Sequence, residues 1–354
     1  MKKEINTMEK ERQVITQISE QKVHFQNGDK EVSNMVNQKN KKIIIKRVEK
    51  MKNTSSLKDT NILRLPDGRK FCYAEFGDPK GVPVMLVHGS PGHRLFWTYF
   101  PEFPFLSGIR YIAIDRPGYG MSDFKKGIIF TDLADDIVAL ADSLKIKRFS
   151  IIGGSGGGPY ILACAWKIPE RLDKVIVIST MGPLTPDVMK ATGRTNRIVF
   201  KITKYVPWLM RLNMKMLSAM QNKNADKYLK RMSYKLSGSD KTAIMKKPVR
   251  NALMSMFGEA TKNGSDGYAQ DVINVSRPWP FDLSEIKKEV HVWQPEDDTS
   301  TPPAVARHLK SVIPKCRVHY VPNAGHLWMI EHLSTALREV INVRHGDVSF
   351  DILS

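Results

Sequence analysis

Cysteine is scarce in this chain: three in 354 residues, Cys72, Cys164 and Cys316. Their wide spacing argues against a disulfide framework and against the paired-cysteine patterns of zinc sites. Long apolar runs are missing too, and no stretch approaches the roughly 20 residues of a membrane span. The N-terminal MKKEINTMEKERQVITQ lacks an apolar centre and mixes acids with bases. It reads as neither a secretory signal nor an acid-poor transit peptide. A reducing cytoplasm is therefore the expected compartment. Acid is in deficit, with 36 Asp and Glu against 55 Lys and Arg, a net charge of +19. Such an excess suits nucleic acid, anionic lipid or an anionic substrate. No nucleic-acid-binding motif focuses it, so no nucleic-acid partner is predicted and the surplus reads first as a soluble surface.

What is present falls into three regions. Residues 1–57 are polar and rich in Lys, Gln, Asn and Glu, and they read as a disordered extension. Contact of this basic segment with an anionic surface is one reading of its charge. From about residue 60 the pattern changes. NILRL and FCYAEFG flank the turn PDGR, which predicts two paired strands. VPVMLV, RYIAI, RFSII and KVIVI are near-continuous apolar runs, the mark of strands buried on both faces. TDLADDIVALADSL predicts an amphipathic helix with Thr131 as its N-cap. After an interruption the alternation returns with VHVWQPE, PAVARHLKSVI, RVHYVPN and STALREVINV. Strands alternating with helices imply an α/β chain, with a mostly parallel sheet flanked by helices. The interruption, residues 182–280, is rich in Lys, Arg and Met and shows no buried-strand run. It predicts a helical cap inserted after the sixth strand, leaving 58–181 and 281–346 as the core.

IIGGSGGGPYILACA, residues 151–165, surrounds one serine with glycines. Glycine in a regular element costs about 0.5–1 kcal/mol relative to alanine, so the run needs a steric or chemical reason. Gly153-Gly154-Ser155-Gly156-Gly157 fits G-x-S-x-G between a strand and a helix. A strand turning directly into a helix around one residue strains that residue and requires small neighbours. The hydroxyl is then lifted to the carboxyl edge of the sheet, where ligands of α/β proteins bind. The N–H of Gly156, opening the helix, points to the same place and can hold a developing oxyanion. No Gly-Lys-Ser/Thr follows, which excludes a Walker loop.

Together with LVHGSPGHR after the third strand, DRPGYGMSD after the fourth and GHL near the end, this stretch resembles the α/β-hydrolase superfamily over about residues 60–345. The resemblance implies an eight-stranded α/β-hydrolase fold and the chain order serine, acid, histidine. It gives the base as His326, with His319 and His332 as less well placed neighbours. The acid pattern G-x-x-D-x-x-x-P falls on Pro295, Asp298 and Pro302, so Asp298 is the implied acid, Asp297 is its alternative, and Pro295 departs from the expected glycine. The second oxyanion donor is implied at the N–H of Ser90, since Pro91 has none. His88, Gly89 and Asp115 read as residues that shape their loops.

These roles imply acyl transfer from a small or medium ester, with neither metal nor organic cofactor required. A proline iminopeptidase-like peptidase is the second reading, weakened because Gly156, not Trp, follows the serine and the cap is basic. That basic cap hints instead at acidic substrates. A haloperoxidase-like activity uses the same three groups. A dehalogenase or epoxide hydrolase would place aspartate at position 155. A binding module on the same fold is the non-enzymatic alternative. Trp97, Trp208, Trp279 and Trp328 are candidates either to line the pocket or to fill the core.

Overall fold

A computed structural model describes residues 58–99, 108–223, 229–230, 233 and 236–340. The extension 1–57 and residues 341–346 lie outside the described residues. All eight expected strands form one sheet: β1 (Lys58–Arg64), β2 (Lys70–Gly77), β3 (Val82–Val87), β4 (Ile109–Ile114), β5 (Phe149–Gly154), β6 (Leu172–Ile178), β7 (Val290–Pro295) and β8 (Cys316–Val321). Their order is β1-β2-β4-β3-β5-β6-β7-β8. β1 runs antiparallel to β2, and β2 antiparallel to β4. Every other pair is parallel. This is the α/β-hydrolase fold that the sequence implied.

The apolar runs explain the layering. Successive residues of a strand face opposite sides, so a strand buried on both faces supplies two cores. Met85, Val87, Ile112 and Ile151 pack on one side, against helices α1 (Asp132–Ser143) and α2 (Gly158–Lys167). Val84, Leu86, Ala113 and Ile152 pack on the other. Truncating Met85, Leu86 or Ile151 to alanine costs about 2–5 kcal/mol. The three cysteines are buried and free.

Between β6 and β7 run six described helices: α3 (Pro186–Ala191), α4 (Arg194–Tyr205), α5 (Pro207–Lys223), α6 (Gly238–Met245), α7 (Lys247–Ala260) and α8 (Asp266–Val275). No strand appears among the described residues of this insert. α9 (Pro303–Val312) and α10 (Trp328–Val340) complete the fold.

Two local expectations differ from the structure. Thr131 sits in the right-handed helical region and its side chain caps nothing. The turn is closed instead by Asp132, whose Oδ2 accepts the N–H of Ile129 at 2.9 Å. α10 begins six residues before the expected STALREV, because Trp328 to Glu331 already turn helically ahead of a kink at His332.

Candidate active site

The glycine run is explained by close approach. Ser155 itself takes the left-handed conformation, with φ +52°, while none of the glycines from 153 to 158 does. A Cβ on Gly153 would strike the carbonyl of Val87 on β3. One on Gly157 would lie 2.5 Å from the His88 carbonyl. The start of α2 therefore sits against the end of β3, and side chains there would drive the two apart. The strain at Ser155 is held by backbone bonds: its N–H donates to the Ser179 carbonyl at 3.1 Å, and its carbonyl accepts the Met181 N–H at 3.1 Å.

Three predicted residues meet at the carboxyl edge of the sheet. His326 Nε2 lies 3.1 Å from Ser155 Oγ. His326 Nδ1 lies 2.8 Å from Asp298 Oδ2. Asp298 is buried and also accepts the N–H groups of Ser300 and Thr301, each at 2.8 Å, while the Thr301 hydroxyl lies 2.7 Å from its Oδ2. Asp297 and Glu296 are exposed. Pro295 does not disturb the turn, because it closes β7 in register with Val321 of β8. Just beyond it, the Asp297 N–H donates to the Ala324 carbonyl at 2.9 Å. That bond ties the acid loop to the histidine loop.

Burial opposes the charge on Asp298, but the facing imidazole and the donors around it hold its carboxyl below the ordinary value of 3.8. Burial likewise opposes protonation of His326. The Asp298 charge and hydrogen bond outweigh it, Asp240 adds to them, and the imidazole is raised above 6.5.

The loop after β3 closes the other side of Ser155. A Cβ on Gly89 would touch the Ser155 Cβ at 3.2 Å, and a Cβ on Gly156 would collide with the Ser90 hydroxyl and lie 3.2 Å from the Ser90 nitrogen. His88 is buried and held neutral, by burial first and then by the Arg116 charge. Its Nε2 accepts the Arg116 N–H at 3.0 Å, so Nδ1 donates to the Gly89 carbonyl at 2.7 Å. Asp115 accepts from the Arg94 backbone at 2.6 Å, the Arg94 guanidinium at 2.8 Å and the Met121 N–H at 3.0 Å, and so holds its own loop.

Two further aspartates, both from the insert, escaped sequence reasoning. Asp271 on α8 is buried and gathers a polar cluster beside Ser90. It pairs with both terminal nitrogens of Arg116, at 2.9 and 2.8 Å. It accepts the Tyr119 hydroxyl at 2.5 Å, the Tyr160 hydroxyl at 2.7 Å and the Ser90 hydroxyl. Arg116 lies between the two tyrosine rings, 4.7 Å from each centroid. Asp240 on α6 is also buried. Its carboxylate accepts the N–H groups of His326 at 3.0 Å and Leu327 at 2.8 Å. The local hint to Asp271 was Gly267, a glycine inside a helical stretch. A Cβ there would lie 2.7 Å from the Gly118 carbonyl, so Gly267 lets α8 approach the loop after β4.

Ser155 and His326 open onto a cavity of about 610 Å³. Its walls are mainly apolar, with Phe96, Phe200, Met214, Leu217, Leu253 and Met256 among them. No lysine or arginine is among its described lining residues. None of the four candidate tryptophans lines it either. Trp97 is buried in the core and Trp279 packs against Phe130 and Phe281. Trp328 joins a stack with Trp293 and His332, and His319 stacks on the same Trp293, which accounts for both alternative histidines. Trp208 is exposed.

Comparison with known proteins agrees with this architecture. Residues 84–340 match the sequence profile of the alpha/beta hydrolase family. Over 270 residues the chain is 24% identical to the 2-hydroxymuconate semialdehyde hydrolase of Pseudomonas putida, a match covering 74% of this chain and 87% of that one. Over 120 residues it is 33% identical to the non-heme chloroperoxidase of Streptomyces lividans, covering 33% of this chain and 44% of that one. Among solved structures, a thermophilic esterase from Thermogutta terrifontis superposes with a TM-score of 0.58 at 22% identity, covering 79% of this chain and 97% of that one.

Proposed function

Because this chain belongs to the alpha/beta hydrolase family, matched over residues 84–340, we propose that it hydrolyses a neutral, apolar carboxylic ester by acyl transfer through Ser155, His326 and Asp298. The observation that carries this reading is the unbroken run of contacts from Ser155 Oγ through His326 to Asp298, at 3.1 and 2.8 Å, at the floor of an apolar cavity. A serine hydroxyl is a weak nucleophile at neutral pH and needs an adjacent base. His326 Nε2 takes the Ser155 proton as Oγ attacks the carbonyl carbon, and Asp298 stabilises the imidazolium. The N–H groups of Gly156 and Ser90 hold the negative oxygen of the tetrahedral intermediate. The imidazolium returns its proton to the leaving alcohol. Water, deprotonated by His326, then releases the acid from the acyl-serine.

The substrate class follows from the walls. A carboxylate-bearing substrate would find no cation among the described lining residues, whereas an apolar acyl chain would displace water from Phe, Leu and Met side chains. In this reading residues 182–280 are the cap and set acyl specificity, while 58–181 and 281–346 form the core.

Labelling of the purified chain with a fluorophosphonate probe tests the reading. Labelling that is lost in both Ser155→Ala and His326→Ala supports it, and a series of esters of rising acyl length then measures the cavity. A folded wild-type chain that takes no label overturns it and favours a binding module on the same fold.

A further inference from the structure

Helices α4 and α5 of the insert are apolar on two sides. Inward, Met210 and Met214 of α5 are buried against Ala269 of α8. Val199 and Phe200 of α4, with Met214 and Leu217 of α5, reach the cavity of Ser155. Outward, Ile198, Ile202 and Tyr205 form a stripe along α4, at a helical spacing of three to four residues. Trp208, Leu212, Met216 and Met220 continue it along α5. All are exposed, Tyr205 to 77% and Trp208 to 65%. A contiguous exposed apolar patch marks an interaction site, and this outer stripe lacks a cover among the described residues.

Its charge identifies the cover. The sequence from Arg194 to Lys223 contains no aspartate or glutamate. Arg194, Lys201, Lys204 and Lys215 are exposed along the stripe. Arg194, Lys201 and Lys215 make no ion pair among the described residues, and Lys204 lies over the Tyr205 ring, 5.7 Å from its centroid. Apolar side chains edged by unpaired cations, with a tryptophan and a tyrosine among them, have the composition of a helix lying in the headgroup region of a bilayer. A protein partner would need its own acidic rim and a shaped surface, whereas a fluid anionic bilayer needs neither. Unbranched methionines suit such an irregular cover.

We propose that the outer face of α4 and α5 docks this protein on an anionic lipid surface. Docking brings the inner faces of the same helices, and so the cavity of Ser155, to the membrane. Among the described residues no helix is long and apolar enough to cross a membrane, so this is contact with the surface and not a span. The docking itself does not depend on the hydrolytic reading.

The test is co-sedimentation of the full chain with phosphatidylcholine vesicles, with and without a third of the lipid replaced by phosphatidylglycerol. We expect at least about tenfold tighter binding to the anionic vesicles, weakened by high salt. Trp208→Glu/Met216→Glu should lose about tenfold of that binding while melting like the parent, since both side chains are exposed. Lys201→Glu/Lys204→Glu should lose a similar amount. Ser155→Ala should bind like the parent, so a failed surface and a failed active site are read separately. Three outcomes overturn the proposal: equal binding to both vesicle types, anionic binding that survives the Trp208→Glu/Met216→Glu change, or self-association through this face without vesicle binding. The second would assign the contact to another basic region. The third would make the face a protein interface.

Discussion

The edge of the sheet and the helical insert each bring buried carboxylates to the candidate site, and the two regions spend them differently. Asp298, at the end of β7, faces the imidazole itself, with Oδ2 2.8 Å from His326 Nδ1. Asp240 and Asp271, from the insert, face the frame. Asp240 accepts two backbone N–H groups of the histidine loop. Asp271 ties Arg116, Tyr119, Tyr160 and the Ser90 hydroxyl into one cluster. A carboxylate facing a titrating ring tunes chemistry, while one facing backbone or a permanent cation fixes geometry. The insert is therefore more than a wall. It holds both loops between which the reacting atoms would lie, and the comparison predicts that changes at Ser155 and Asp298 act chiefly on turnover while changes at Asp240 and Asp271 also lower stability.

The largest effects should come from the core. Ser155→Ala removes the proposed nucleophile, and ester turnover should fall on the order of 10⁶-fold. Steady-state hydrolysis of an apolar ester measures it. The melting temperature should stay close to that of the parent or rise, since the strained φ of +52° is retained but no packing group is lost. Asp298→Asn should lower kcat by about 10⁴-fold, because the amide favours the wrong imidazole tautomer. Retention of most activity in Asp298→Asn would break the comparison at its centre and transfer the acid role elsewhere.

The core was legible because its strands are buried on both faces and appear as apolar runs, and because the glycines around Ser155 mark a crowded turn. His326 and Asp298 were legible through the resemblance, which supplied their order along the chain. Asp297 and Asp298 could not be separated by composition. Burial separates them, since one is exposed and the other lies under the imidazole. The insert aspartates were illegible for a different reason. Asp240 meets His326 across 86 residues, and Asp271 meets Arg116 across 155. Nothing in SGSDKTAIM distinguishes Asp240 from a solvated helix carboxylate, and in GSDGYAQDVINV Gly267 marks a close approach of the helix without marking Asp271 as buried. The charge of the insert was no guide to the cavity walls, because sequence counts lysines without saying where they point; none of those described lines the cavity.

Intermediate effects belong to the insert. Asp271→Asn leaves the buried Arg116 guanidinium without its counter-charge. Removing one partner of a buried pair costs about 3–5 kcal/mol. Equilibrium denaturation should show that loss, and kcat should fall with it as the Ser90 loop loosens. A loss of stability without any fall in kcat would separate the cluster from the oxyanion donor. Asp240→Ala leaves the His326 and Leu327 N–H groups short of an acceptor, at about 1–3 kcal/mol for each buried group.

The smallest effect is also the sharpest test of the two roles. The proposed base must be neutral to accept the serine proton, so kcat/KM should rise with pH through the His326 pKa and then level. That pKa is raised, since the Asp298 charge and hydrogen bond outweigh burial and Asp240 adds to them, so the acid limb should centre above 6.5. Asp240→Asn removes a negative charge near the ring, although it keeps an oxygen for the loop. The imidazolium is then less favoured, and the limb should move to lower pH by a fraction of a unit. A purely structural Asp240 would lower the plateau and leave the limb in place. A limb that moves while the plateau holds would show that the insert also sets the proton affinity of the base, a task the comparison otherwise reserves for the core.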